Sequence, residues 1–93
     1  MQQRNIIVRN RLGLHARAAA RIVRLSNQFQ SQLTLQRLDN GRTGDAKSIF
    51  GILLLAAAQG TELMLTASGE DEESALRQMV DLIEYQLEEG DGR

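Results

Sequence analysis

The chain reads as an α+β protein of two layers, one antiparallel sheet covered on one face by helices. Three observations carry that reading. Polar and apolar residues alternate over residues 32–36 and 61–67, the period of a half-buried strand. Apolar residues recur at helical spacing in Ala19, Ile22 and Val23, and again in Leu76, Met79, Val80, Ile83 and Leu87. The segments succeed one another as strand, helix, strand, strand, short helix, strand, helix, which is β-α-β-β-α-β-α.

Asn5-Ile6-Ile7-Val8-Arg9 is rich in β-branched residues and predicts the first strand. Residues 10–13 break it, and Gly13 permits the backbone angles of a tight entry loop. A helix is expected over residues 16–27, with Ala19, Ile22, Val23 and Ser26 on one face. Arg17, Arg21 and Arg24 fall on a neighbouring face, where solvation is the expectation for Arg21. After the strand at 32–36, Asp39-Asn40-Gly41 predicts a type I′ hairpin, because Asn-Gly tolerates positive φ. Residues 42–45 then return as a short edge strand.

Residues 47–54 predict a short helix with Ser48 in its first turn and with Ile52 and Leu55 in the core. Gly60 closes that segment. In the strand at 61–67, Leu63, Leu65 and Ala67 face inward, and Gly69 ends the run. Glu70, Asp71, Glu72 and Glu73 put negative charge at a helix start, where the dipole favours it. The uncovered sheet face, with Gln32, Thr34, Gln36, Glu62 and Thr66, is expected to be solvated. Residues 88–93 are expected to form a frayed polar tail.

The 93 residues predict one domain, residues 1–93. A net charge of −1 argues against a nucleic-acid partner. The absence of cysteine removes disulfides and thiolate metal sites, and a single histidine offers no His-rich site; no metal or cofactor is expected. The longest apolar run, residues 49–58, is too short for membrane insertion, and the N-terminus lacks the apolar core of a signal peptide. A cytoplasmic protein is expected. It is expected to be a monomer, because no apolar helix face is left over once the sheet is covered.

The chemistry gathers at the only histidine, His15, between the first strand and the first helix. The leading N–H groups of a helix lack backbone partners, and the dipole adds positive charge at that end. Anions are favoured there. Arg17 adds a guanidinium that pairs bidentately with phosphate oxygens. Imidazole is nucleophilic near neutral pH without special activation. Together these residues describe a phosphohistidine site, with the N–H groups of Ala16 and Arg17 and the Arg17 side chain stabilising the phosphate.

Gly13-Leu14-His15-Ala16-Arg17, then Lys47-Ser48-Ile49-Phe50-Gly51, then Gln59-Gly60-Thr61 together resemble the HPr family. These are the histidine-containing phosphocarriers of the bacterial phosphotransferase system. The likeness runs from about residue 5 to about residue 85, in the same order and at similar spacing. It implies an open-faced sandwich with sheet order 1-4-2-3. It implies phosphorylation of His15 on Nδ1 by enzyme I, itself phosphorylated from phosphoenolpyruvate, and transfer to an enzyme IIA domain. Such a carrier has no turnover of its own. The resemblance also implies that Ser48 matches a regulatory serine, the target of an HPr kinase/phosphorylase. It marks Ile49, Phe50 and Leu53 as an apolar docking patch, with Arg24 beside it.

One position departs from the family pattern: Ala18 stands where a proline usually follows the motif arginine. The hairpin also looks a residue or two longer than common. Two alternatives stay open on sequence. The carrier could belong to a regulatory or nitrogen-related phosphotransferase chain, or the chain could be a binding module whose His15 is never phosphorylated.

Overall fold

The computed structural model describes residues 1–87; the tail expected at 88–93 lies outside the described residues. Four strands, β1 (Gln2–Ile7), β2 (Gln32–Arg37), β3 (Thr43–Asp45) and β4 (Glu62–Ser68), form one antiparallel sheet. Its order is β1-β4-β2-β3, as the resemblance implied. The helices are α1 (Ala16–Ser26), α2 (Ile49–Leu53) and α3 (Glu72–Asp81), and α3 runs on into a π-helical turn, Leu82–Gln86. Among the described residues no helix is long and apolar enough to cross a membrane.

β4 is the spine of the sheet, with β1 on one side and β2 on the other. Its inward residues Leu63, Leu65 and Ala67 are fully buried, as the alternation predicts. Opposite them lie Ile6 on β1 and Leu33 and Leu35 on β2, all buried. The first strand starts three residues earlier than the β-branched run suggests. Gln2 pairs with Ala67 and Ile7 with Glu62, so the length of β4 recruits the polar start of β1 through backbone bonds alone.

The helices supply the other half of the core. α1 buries Ala18, Ala19, Ile22 and Ser26, and Val23 is only half-buried. α3 and the π turn bury Leu76, Met79, Val80, Ile83 and Leu87 as expected. Leu82 joins them because the wider π turn brings two consecutive residues inward. Ile52 and Leu55 are buried beneath α2, also as expected. β3 carries Gly44 where α2 crosses it, and a Cβ there would collide with the Gly51 carbonyl oxygen.

The hairpin is not the type I′ turn that Asn40-Gly41 suggests. A type I′ turn needs positive φ at both central residues. Here only Gly41 has it, at +76°, and Gly41 N–H donates to Arg37 O at 2.9 Å across a longer loop. Asn40 instead uses its side-chain oxygen to accept the Arg42 N–H at 2.9 Å.

Asp71 stands at the N-cap of α3 but bonds away from its own helix. Its carboxylate accepts N–H groups from Gln30 at 2.9 Å and Ser31 at 3.0 Å, and the Ser31 hydroxyl as well. These bonds tie the loop after α1 to the start of α3. They hold the Asp71 carboxyl below its ordinary value of 3.8, the Ser31 hydroxyl contributing most and the Gln30 amide next. A depressed folded-state value means that the stabilisation is present above the ordinary value and is lost as pH falls through the folded one. Asp71→Asn is therefore expected to lower the urea midpoint at pH 7. The gap to wild type should close as the pH is taken from about 5 to about 2, measured by parallel urea titrations.

Candidate functional site

His15 is the N-cap of α1. Its backbone is extended, with φ −76° and ψ −179°, and its side chain takes the part usually played by Ser or Asp. Imidazole Nδ1 accepts the backbone N–H of Arg17 at 3.2 Å. An accepting nitrogen carries the lone pair, so in the neutral ring Nε2 holds the proton. The nucleophilic lone pair of the ring is thus aimed at the start of α1. The N–H groups of Ala16, Arg17 and Ala18 precede the first intrahelical bond, which Ala19 donates to His15 O at 2.8 Å.

The loop that presents His15 is fastened from behind. Leu14 N–H donates to Ala57 O at 2.9 Å, and Gly13 N–H to Asn10 O at 3.0 Å. Gln59 Nε2 donates to Arg9 O at 3.0 Å, and Gly60 N–H to Val8 O at 2.8 Å. Asn10 is fully buried, and its amide donates to Gly13 O. Sequence reasoning singled out Gly13 but missed Asn10; a polar residue at a strand end carries no periodic signal of burial. Gly13 has φ +68°, and a Cβ there would sit 2.5 Å from Ala57 O and 2.9 Å from Ala58 Cα.

The arginines of α1 divide by role. Arg17 is exposed on the first turn, and its guanidinium makes no ion pair among the described residues. Arg24 is likewise exposed. Arg21 is not simply solvated as expected: its Nη1 donates to Gln86 O at 3.2 Å, joining α1 to the π turn. Arg9, on the His15 loop, stands over the Tyr85 ring at 6.0 Å from its centroid.

Ser48 is the N-cap of α2, one residue before the first turn where the sequence put it. Its Oγ accepts Gly51 N–H at 3.1 Å. Lys47 Nζ reaches Phe29 O at 2.7 Å, so the start of α2 lies by the end of α1. The contact between Leu14 and Ala57 brings the end of α2 to the start of α1. The two helices therefore run antiparallel, and Ser48 is separated from His15 by roughly the length of α1, about 16 Å at 1.5 Å per residue.

The apolar surface of α2 holds one residue beyond the expected set. Phe50 is 72% exposed and Ile49 38%; Leu53 is half-buried, with one side against the core, and Leu54 adds a surface position at 71%. Phe50 and Leu54 are four residues apart and share a helix face, whereas a five-residue helix is too short for periodicity to resolve that face from its neighbour. Leu12, in the His15 loop, adds a further exposed leucine.

A family model described as the PTS HPr component phosphorylation site matches residues 2–85. The phosphocarrier protein HPr of Xylella fastidiosa is 45% identical over 96% of this chain and 98% of its own length. That of Cupriavidus necator is 43% identical over 98% and 100%. A crystal structure of HPr from Thermoanaerobacter tengcongensis superposes with a TM-score of 0.84 at 41% identity, over 89% of this chain and 91% of that one. The protein from that organism has also been solved as a dimer.

The fit of Gly13 beneath the 57–58 backbone yields a test. Gly13→Ala is expected to cost about 1–3 kcal/mol from the left-handed backbone and the contact with Ala57 O together, read as a lower urea midpoint.

Proposed function

The chain belongs to the HPr family, the phosphocarriers of the phosphotransferase system, and from that premise we propose that His15 is its phosphoryl acceptor and donor. The observation that carries this reading is the Nδ1 lone pair held 3.2 Å from the Arg17 N–H, at the anion-favouring start of α1. In the proposed step Nδ1 attacks the phosphorus of phosphorylated enzyme I. The N–P bond to His15 forms as the bond to the donor breaks, and the ring proton stays on Nε2. No proton has to leave the attacking atom.

Once Nδ1 is bonded to phosphorus, the Arg17 N–H turns from the ring to the phosphoryl oxygens, and the Ala16 N–H joins it there. The Arg17 guanidinium neutralises part of the charge. Ala18 keeps an N–H that proline would lack, so this chain has one more donor at the same helix end. The group then passes to an enzyme IIA domain, and the protein acts as a carrier with no turnover of its own. We take the working state to be a single domain, monomeric and cytoplasmic. Phe50, Ile49 and Leu54, with Leu53 behind them and Arg24 on α1, form the surface for docking partners. An exposed apolar face of this size suits complexes that must part quickly.

Ser48 is read as the target of an HPr kinase/phosphorylase. A phosphate there caps α2 favourably, at a helix N-terminus, and so leaves the helix folded. Its effect falls on docking, because the added charge lies next to Ile49 and Phe50.

Incubation with phosphoenolpyruvate and enzyme I, followed by intact mass, is expected to add one acid-labile phosphate to wild type and none to His15→Ala. Absence of phosphate on wild type with an active enzyme I would favour the unphosphorylated binding module. Ser48→Asp is expected to raise the KM of enzyme I for this protein roughly tenfold while the urea midpoint holds, and an unchanged KM would remove the regulatory role.

A further inference from the structure

Two arginines of the β2–β3 hairpin end on the carbonyls that close α2. Arg37 Nη1 donates to Leu55 O at 2.9 Å and to Ala56 O at 3.2 Å, and Arg42 Nη1 donates to Leu54 O at 3.1 Å. α2 has five residues and no basic residue in its own last turn. The carbonyls of Phe50, Ile52 and Leu53 accept the N–H groups of Leu54, Leu55 and Ala56. It is the carbonyls of those next three residues, just past the helix, that the two arginines take up. The chain leaves it through Ala56, which at φ +51° is the one non-glycine residue with positive φ among the described residues. Such a conformation costs about 1–2 kcal/mol and persists only where the surroundings impose it. Here the imposing groups come from another element of the fold.

Arg37 is itself held rigidly. Its Nε and Nη2 form a fork on Asp39, at 2.9 Å to Oδ1 and 2.6 Å to Oδ2, which leaves Nη1 to span the two carbonyls. The residue after Ala56 is Ala57, whose carbonyl receives Leu14 N–H and whose backbone lies against Gly13. A chain of direct contacts thus runs from the hairpin, through residues 54–57, to the loop that presents His15.

We infer that Arg37 and Arg42 are positioning residues for phosphoryl transfer: Arg37 sets the seat of the His15 loop, and Arg42 sets the exposed Leu54 end of the docking helix. This rests on the phosphocarrier reading above. Neither guanidinium touches the phosphoryl group. Each acts through the backbone it holds, and the effect is one of placement, which transfer chemistry feels steeply.

The test combines two readouts on Arg37→Ala, Arg42→Ala and Asp39→Asn. The first is amide hydrogen exchange of Leu14, measured without enzyme against Leu65 in the centre of the sheet. The second is kcat and KM of enzyme I with each protein as acceptor. Arg37→Ala is expected to speed exchange at Leu14 about tenfold relative to Leu65 and to lower kcat roughly tenfold. Arg42→Ala is expected to raise KM several-fold with kcat near wild type. Asp39→Asn keeps Arg37 but loosens its fork, so it should move Leu14 exchange and kcat in the same direction by less. It keeps the proposal testable if Arg37→Ala fails to fold. Wild-type Leu14 protection and wild-type kcat in both Arg37→Ala and Asp39→Asn would overturn the proposal. Faster Leu14 exchange in Arg37→Ala with no phosphate on wild-type His15 would instead overturn the phosphocarrier reading and leave the clamp as architecture alone.

Discussion

The seam between the loop at residues 8–14 and the segment at 57–61 is the constraint on which the rest of this molecule depends. Four backbone or side-chain bonds cross it: from Leu14 to Ala57, from Gly60 to Val8, from Val8 to Thr61 and from Gln59 to Arg9; within the loop, the buried Asn10 bonds Gly13. The seam continues the β1–β4 ladder past the end of the strands. It brings the loop so close to residues 57 and 58 that only glycine fits at position 13. His15 therefore owes its place to a contact between segments more than forty residues apart, and the start of α1 is set by the same contact.

From the seam the helical layer takes its direction. α1 leaves it and α2 arrives at it, so the two run antiparallel across the sheet. One end of the layer holds His15, Arg17 and the exposed Leu54; the other holds Ser48 and Lys47. A charge placed at Ser48 is too far from His15 to act on the ring directly in water, where a separation above the Debye length of about 8–10 Å is largely screened. The regulatory role proposed for that site would therefore have to act through the surface between the two ends. Ile49 and Phe50 lie on that surface.

Much of the scaffold was legible in the sequence because it is repetitive. Leu63, Leu65 and Ala67 alternate, and Leu76, Met79, Val80, Ile83 and Leu87 recur at helical spacing, and all of them are buried. Features with no period were missed or displaced. Asn10 is a single polar residue in a break between elements. Leu54 is exposed where no surface role was expected of it, in a helix too short for the pattern to declare itself. The hairpin dipeptide suggested the wrong turn because Asn40 satisfied its neighbour with a side chain instead of adopting positive φ.

The candidate site divides along the same line. Residue chemistry alone determined that the single histidine, a following arginine and a preceding glycine stand together at a strand-to-helix junction. That is local information, carried by neighbours in the chain. Residue chemistry by itself did not say which ring nitrogen faces the helix, which the resemblance implied to be Nδ1; in the structure that follows from the extended backbone at His15, next to Leu14 on its bond to Ala57. Only the tertiary structure decided that Ser48 lies a helix length away, and that Arg37 and Arg42 reach across from a hairpin to close α2. Those contacts join residues with no shared pattern and with separations of 12 to 19 positions for the two arginines. They exist only because the sheet order places the hairpin beside the turn that leaves α2, where the carbonyls of residues 54–56 stand.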